Sequence, residues 1–225
     1  MAQISELYSS KFIPDFLEGK MPQNPIQERG RPRGFDEEEI LHNLVLLFWE
    51  KGYEATTQQD MMERTGLSSS SLLNTFGNKP DLFQRVMDAY ASMQRQALEP
   101  LLKGEKGIAD LDTFLDGVQE HVRGERGVPR GCLAVKTMTG PAPTAENSAE
   151  QLKRYQDNLT FALKQTLDRA VELDEVSSKD VHRNVRLLSS SLIGILAVAE
   201  SSPLVAEETV RALQSSVQNW RDSSR

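Results

Sequence analysis

From Asp36 onward apolar side chains recur three and four residues apart, and no stretch sustains the alternation, rich in Val, Ile and Thr, that strands need. The pattern predicts an all-α chain of about nine helices. The first opens at Asp36, whose side chain can cap it. Glu39 stands where it can return the bond, and Phe35 with Ile40 forms a hydrophobic staple. Ile40, Leu44, Leu47 and Phe48 share one face until Gly52 stops the helix. A short helix runs from Thr57 to Thr65 with Asp60 as capping partner, Gly66-Leu67 turns the chain, and a third helix starts at Ser68 and ends near Thr75. Two helices of about two turns joined through a glycine have the helix-turn-helix pattern.

The elements then lengthen. Asn78-Lys79-Pro80 opens a helix, proline being tolerated in the first turn, that carries Leu82, Val86, Tyr90 and Met93 towards Pro100. Ile108 to Val122, a short helix after Gly131, Glu146 to Leu173, Ser178 to Glu200, and Ala206 to Trp220 complete the set. The first 35 residues differ, because prolines at 14, 22, 25 and 32 and glycines at 19, 30 and 34 interrupt any long element. Ile4, Leu7, Tyr8 and Phe12 fall at helical spacing, but a mobile extension, or a chain start at Met21, is preferred over a docking helix there. This organisation divides the chain into an extension over 1–28, a small helical unit over 29–78 and a larger one over 79–225.

Composition bounds the function classes. No apolar run reaches the ~18 residues of a membrane span, and no secretory leader is legible at the N-terminus, so a reducing cytoplasm is the expected location. One cysteine in 225 residues excludes an internal disulfide and a cysteine-built zinc site. His42, His121 and His182 fall on separate helices, so neither a metal nor a cofactor is implied, and no nucleophile-base pair suggests an enzyme. With 33 Asp and Glu against 26 Lys and Arg, the net charge of −7 weighs against nucleic acid unless the cations are well placed.

Their placement changes that picture. The run from Arg29 through Arg31 and Arg33 to Asp36, the run Phe48-Trp-Glu-Lys-Gly-Tyr-Glu-Ala-Thr-Thr57, the run Asp60 to Ser68 with its Gly66 turn, and Ser71-Leu-Leu-Asn-Thr-Phe-Gly-Asn-Lys79 together resemble the DNA-binding domain of the TetR (tetracycline-repressor-like) family of bacterial regulators. The match covers roughly residues 30 to 90, and it combines basic arm, aromatic end of the first helix, Thr cap, Gly turn and Phe-Gly exit in register. A recognition helix enters the major groove by its N-terminal end, which here carries Ser68, Ser69, Ser70 and Ser71. Leu73 and Asn74 continue that helix, and Arg31 and Arg33 can reach phosphates or the minor groove from their Pro/Gly arm. The resemblance implies backbone contacts from Thr57 and Lys79. Two positions depart from the family: Leu73 stands where a phosphate-binding Tyr is usual, and Ser69 where Lys or Arg is frequent. Residues 29–90 hold seven basic and ten acidic side chains, a local net of −3, which predicts a shallow salt dependence.

Three further features carry expectations. Cys132 lies at the start of a short helix between Arg130 and Lys136, an arrangement that favours thiolate. Gly131-Cys132-Leu133 resembles a string in a subset of TetR-like regulators, some of which sense electrophiles or oxidants through cysteine. The alternative, that Cys132 is a small buried apolar residue, is preferred. The resemblance also implies a ligand pocket in the larger unit. Tyr90, Met93, Phe114, Val118, His121, Met138, Tyr155 and Leu159 lie on the helices that would line it, although each alone fits an ordinary core. Finally, Leu187 to Val198 is apolar around most of its circumference and needs burial on two sides. Ser190, Gly194 and Ala197 would admit a partner helix, and Val210, Leu213, Val217 and Trp220 offer a second stripe, which together predict a homodimer.

The reading is a dimeric regulator, most readily a repressor, that binds a pseudo-palindromic double-stranded DNA operator and is released by a small apolar or amphipathic inducer. Thiol sensing through Cys132 is the first alternative, and a helical enzyme or small-molecule carrier the second.

Overall fold

The computed structural model describes residues 36–125, 127, 128, 130–139 and 145–222. The extension over 1–28 and the arm residues Arg31 and Arg33 lie outside them. Among the described residues every regular element is a helix: α1 Glu37–Lys51, α2 Gln58–Thr65, α3 Ser69–Phe76, α4 Lys79–Ala97, α5 Glu99–Lys103, α6 Ile108–Arg123, α7 Leu133–Thr139, α8 Ala145–Glu172, α9 Val181–Val198 and α10 Pro203–Asp222. An N-terminal helix-turn-helix unit is followed by a larger helical domain.

Asp36 and the Thr57–Asp60 pair cap where they were read, while no return bond from Glu39 forms at α1 and Phe35 lies outside the described residues. Asp36 accepts from the Glu38 N–H, while Thr57 with Asp60 and Asn78 with Asp81 form reciprocal capping boxes. Each such cap stabilises its helix by about 1 kcal/mol. α1 buries Ile40, Leu44, Val45, Leu47, Phe48 and Trp49, and the Phe48, Tyr53 and Phe83 rings cluster to seat it on α4, with Phe48 and Phe83 centroids 5.1 Å apart. At about 1.5 to 3 kcal/mol for each large side chain, this face outweighs the caps in holding the small unit together.

The described residues form ten helices, one more than expected from sequence, because the run towards Pro100 breaks at Leu98. Pro100 has no N–H and its ring crowds the carbonyl four residues back, so the chain restarts as the five-residue α5. α5 is held by α8: Thr166, fully buried, donates to the Leu101 carbonyl at 2.9 Å, and Arg169 donates to the same oxygen.

The C-terminal helices correct one expectation. Val210, Leu213 and Val217 are buried inside this chain, so they cannot form an outward stripe, and Trp220 is half-buried against the same core. Polar bonds fix that orientation by tying α10 to α6. Gln214 donates to Asp116 at 2.8 Å, Gln218 to Asp112 at 2.7 Å, and Arg123 to Glu207 at 2.8 Å. α10 instead turns Leu204, Val205, Glu208, Ala212 and Ser215 outward. On α9 Leu188, Leu192 and Ile195 face inward, while Leu187, Ser190, Gly194 and Ala197 are exposed.

Candidate functional site

The turn between α2 and α3 consists of Gly66, Leu67 and Ser68. Gly66 caps α2 in the left-handed conformation, φ 69°, which an L side chain resists. Ser68 then caps α3, its hydroxyl accepting from the Ser71 N–H at 3.2 Å and lying 3.0 Å from the hydroxyls of Ser70 and Ser71. Inward, α3 is anchored by Leu72 and Phe76; outward, it presents Ser69, Ser70, Leu73 and Asn74.

The four serines are therefore not equivalent. Ser68 and Ser71 belong to the cap. The Ser69 hydroxyl accepts from Gln58 Nε2 at 2.6 Å and fastens the start of α3 to the start of α2. Gln58 was not among the residues singled out from sequence, because neither spacing nor charge marks it; only the crossing of the two helices brings it to Ser69. Thr57 Oγ1 accepts from the Asp60 N–H at 3.2 Å and so belongs to the cap of α2. Leu73 is 56% exposed, a large apolar side chain held in water on the outer face of α3.

Of the four described cations between residues 36 and 90, three are tied to carboxylates. Lys51 pairs with Asp60 at 2.6 Å, Arg64 with Glu50 at 2.6 Å and Arg85 with Glu37 at 2.7 Å. Lys79 is placed differently, with its ammonium 4.4 Å from the centre of the Tyr53 ring beside the exit of the motif. The Lys51 ammonium, together with the Thr57 N–H and hydroxyl, lowers the Asp60 carboxyl from 3.8 to about 2.

A second cluster lies in the larger domain. Tyr90 of α4 donates to Cys132 Sγ at 3.4 Å and accepts from the Leu133 N–H at 3.1 Å; Gln94 donates to the same sulfur at 3.2 Å, and the Tyr155 hydroxyl bonds it as well. The thiolate expectation is corrected here. Burial raises the Cys132 thiol, against the opposing pull of Tyr90, the Val135 and Ala134 N–H groups at the start of α7, and Gln94. Neither expected cation helps: Arg130 wraps back to the Arg123 carbonyl at 2.9 Å, and Lys136 reaches away to the end of α1.

The other residues expected around a pocket fall mostly in the packed core. Tyr90, Phe114, Tyr155 and Leu159 are buried, and Met93 and Val118 pack half-buried against them. His121 bonds the Gly131 carbonyl at 2.7 Å and lies 5.8 Å from the Trp49 ring, so it holds the loop before α7. Met138 belongs to α7, but its side chain lies outside the described residues. Two open clefts are formed elsewhere and are lined by none of these side chains. One of about 390 Å³ lies among Leu46, Glu50, Arg64, Gly127, Arg130 and Glu200; one of about 880 Å³ runs between α8 and α9.

Comparison with known proteins agrees with the helical arrangement. Residues 40–86 match the family model of bacterial regulatory proteins, tetR family. Over 175 residues the chain is 27% identical to the uncharacterized HTH-type transcriptional regulator YezE of Bacillus subtilis (strain 168), which covers 76% of this chain and 89% of that protein. Over 128 residues it is 31% identical to the HTH-type transcriptional repressor ComR of Escherichia coli (strain K12), covering 56% of this chain and 61% of that one. Among solved structures, the TetR family transcriptional regulator CifR, a cysteine mutant complexed with 26bp double-strand operator DNA, superposes with a TM-score of 0.68 at 21% identity over 82% of this chain and 98% of its own. Among the described residues no group of His, Cys, Asp and Glu is placed to hold a metal ion, and no helix is long and apolar enough to cross a membrane.

Proposed function

Because the chain belongs to the bacterial tetR family of regulatory proteins, we propose that it is a sequence-specific double-stranded DNA-binding regulator acting as a repressor. The observation that carries this reading is the outward face of α3, where Ser69, Ser70, Leu73 and Asn74 stand free of the core on a helix locked at both ends. A helix N-terminus also favours phosphate. Asn can take adenine by two hydrogen bonds, and an exposed Leu suits the thymine methyl, which gives Leu73 a role in place of the family's phosphate-binding Tyr. Lys79, Thr57 and the arm residues Arg31 and Arg33 supply backbone contacts. That ComR is a repressor and CifR holds operator DNA supports the assignment.

Dimerisation belongs to the same proposal. The outward residues Leu187, Ser190, Gly194 and Ala197 of α9, with Val205 and Ala212 of α10, form a small-residue apolar surface on which two-fold symmetry would build a four-helix contact. Two recognition helices would then lie about 34 Å apart on a pseudo-palindrome. A small amphipathic inducer would have to open the packed core around Tyr90, Tyr155 and Leu159, where Gln94 and the two tyrosine hydroxyls offer polar contacts. The buried thiol favours this reversible-ligand reading over thiol sensing.

The test is a mobility shift on DNA flanking the gene, using the full chain. Lys79→Ala is expected to weaken all sequences alike, and Asn74→Ala to relax discrimination at one base position by about 1 to 3 kcal/mol. Equal affinity of the unaltered chain for flanking and scrambled duplexes would remove the assignment.

A further inference from the structure

Lys136 stands one turn after Cys132 in sequence, yet its side chain points away from it. Its ammonium donates to the Glu50 carbonyl at 2.9 Å, to the Trp49 carbonyl at 3.2 Å and to the Glu200 carboxylate at 2.8 Å. Two backbone carbonyls and a carboxylate thus share the N–H donors of one ammonium group. Two of the acceptors are end-of-helix carbonyls of α1 that the helix itself leaves unpaired, and the negative end of the helix dipole favours a cation there. The third lies in the turn between α9 and α10. One side chain on α7 thus joins the first helix of the small unit to the α9–α10 turn of the larger domain.

The opposite end of α7 is fixed just as firmly. The Leu133 N–H donates to the Tyr90 hydroxyl of α4, and Gly131, at φ 82°, lies so close to α9 that a Cβ there would come within 2.9 Å of the Leu196 carbonyl oxygen. Trp49, whose carbonyl Lys136 holds, packs edge-on to Tyr90 at 4.9 Å. Beside this linkage the two units are separated by the open cleft of about 390 Å³, lined in part by Glu50 and Glu200 themselves.

From these contacts we infer that α7 is a strut and Lys136 its clamp, setting the orientation of the helix-turn-helix unit against the C-terminal helices. Lys136 is a positioning residue. It touches no DNA and acts by holding α1, so a displacement of α7 or of the α9–α10 turn is passed to the small unit through this ammonium group. The inference supplies a regulatory path for the proposed DNA-binding reading, but the clamp is tested without DNA.

Spin labels on Glu63→Cys of α2 and Thr113→Cys of α6, both exposed, report the distance between the two units in the full chain. Dilution with unlabelled protein restricts the signal to one chain, and mass spectrometry checks that buried Cys132 stays unlabelled. Lys136→Met is expected to add a second, displaced distance peak, and Glu200→Ala to broaden the original one. Lys136→Arg, whose guanidinium can serve the same carbonyls, is expected to restore a single peak, and Lys153→Met, which breaks an exposed pair within α8, to leave it untouched. A folded Lys136→Met chain with the unaltered distribution overturns the clamp, as does equal broadening by Lys153→Met. Should Lys136→Met fail to fold, Glu200→Ala decides: exposed Glu200 can be lost without opening the core, and an unchanged distribution there overturns the proposal. Failure of the unaltered chain to bind DNA would remove the proposed function while leaving the distance result standing.

Discussion

At the residue scale, the fate of single polar groups is decided by what surrounds them rather than by their neighbours in sequence. Cys132 shows this most clearly. A helix start and two cations within four residues argue for a reactive thiolate, but both cations bond elsewhere and burial dominates the sulfur. The expected outcome is slow alkylation by a small reagent near neutral pH in the folded chain and rapid alkylation once it is unfolded; fast labelling of folded protein, abolished in Cys132→Ser, would restore the thiol reading. Asp60 behaves in the opposite sense. Its carboxyl is held below its ordinary value, so its contribution to stability is complete above the unfolded pKa of 3.8 and is lost as pH falls through about 2. Thermal melts should therefore separate the unaltered chain from Asp60→Asn at mildly acid pH, with the gap closing towards pH ~2. A gap independent of pH would assign Asp60 a purely steric role.

At the scale of elements, helix starts and stops were legible because caps are local chemistry. Thr57 with Asp60 and Asn78 with Asp81 do in space what their three-residue spacing implies. Thr57→Ala should lower stability by about 1 kcal/mol in urea unfolding without changing the slope of the transition. What spacing does not carry is which face of a helix meets which neighbour. α10 has a clean apolar stripe, and sequence alone allows it to meet a partner chain; the bonds from Gln214, Gln218 and Glu207 to α6 turn it into the protomer's own core. The same holds for Gln58, whose partner is 11 residues off, and for Lys136, whose partners are 64, 86 and 87 residues off. Gly131 adds a backbone demand that spacing does not carry, a positive φ just before α7. Gly131→Ala should cost about 2 kcal/mol or more, because a strained conformation is added to a clash with the Leu196 carbonyl.

At the scale of the whole molecule, charge is the informative quantity. A chain of net −7 approaches a polyanion, and three of its four described cations near the motif are already paired within the unit. Lys79 with Arg31 and Arg33, the three cations proposed for phosphate in each chain, give a dimer an expected slope of log K against log salt no steeper than about −5. A much steeper slope would mean that the internal pairs open on binding. Affinity held down in this way places more of the recognition on the outward face of α3 and on two-fold symmetry. The most direct test is selection from a library of random-sequence duplexes by the full chain. The account predicts enrichment of one pseudo-palindrome with half-sites about one helical turn apart, with preference at one position in each half lost in Asn74→Ala. A library that emerges unenriched, or that Asn74→Ala and the unaltered chain enrich identically, would contradict it.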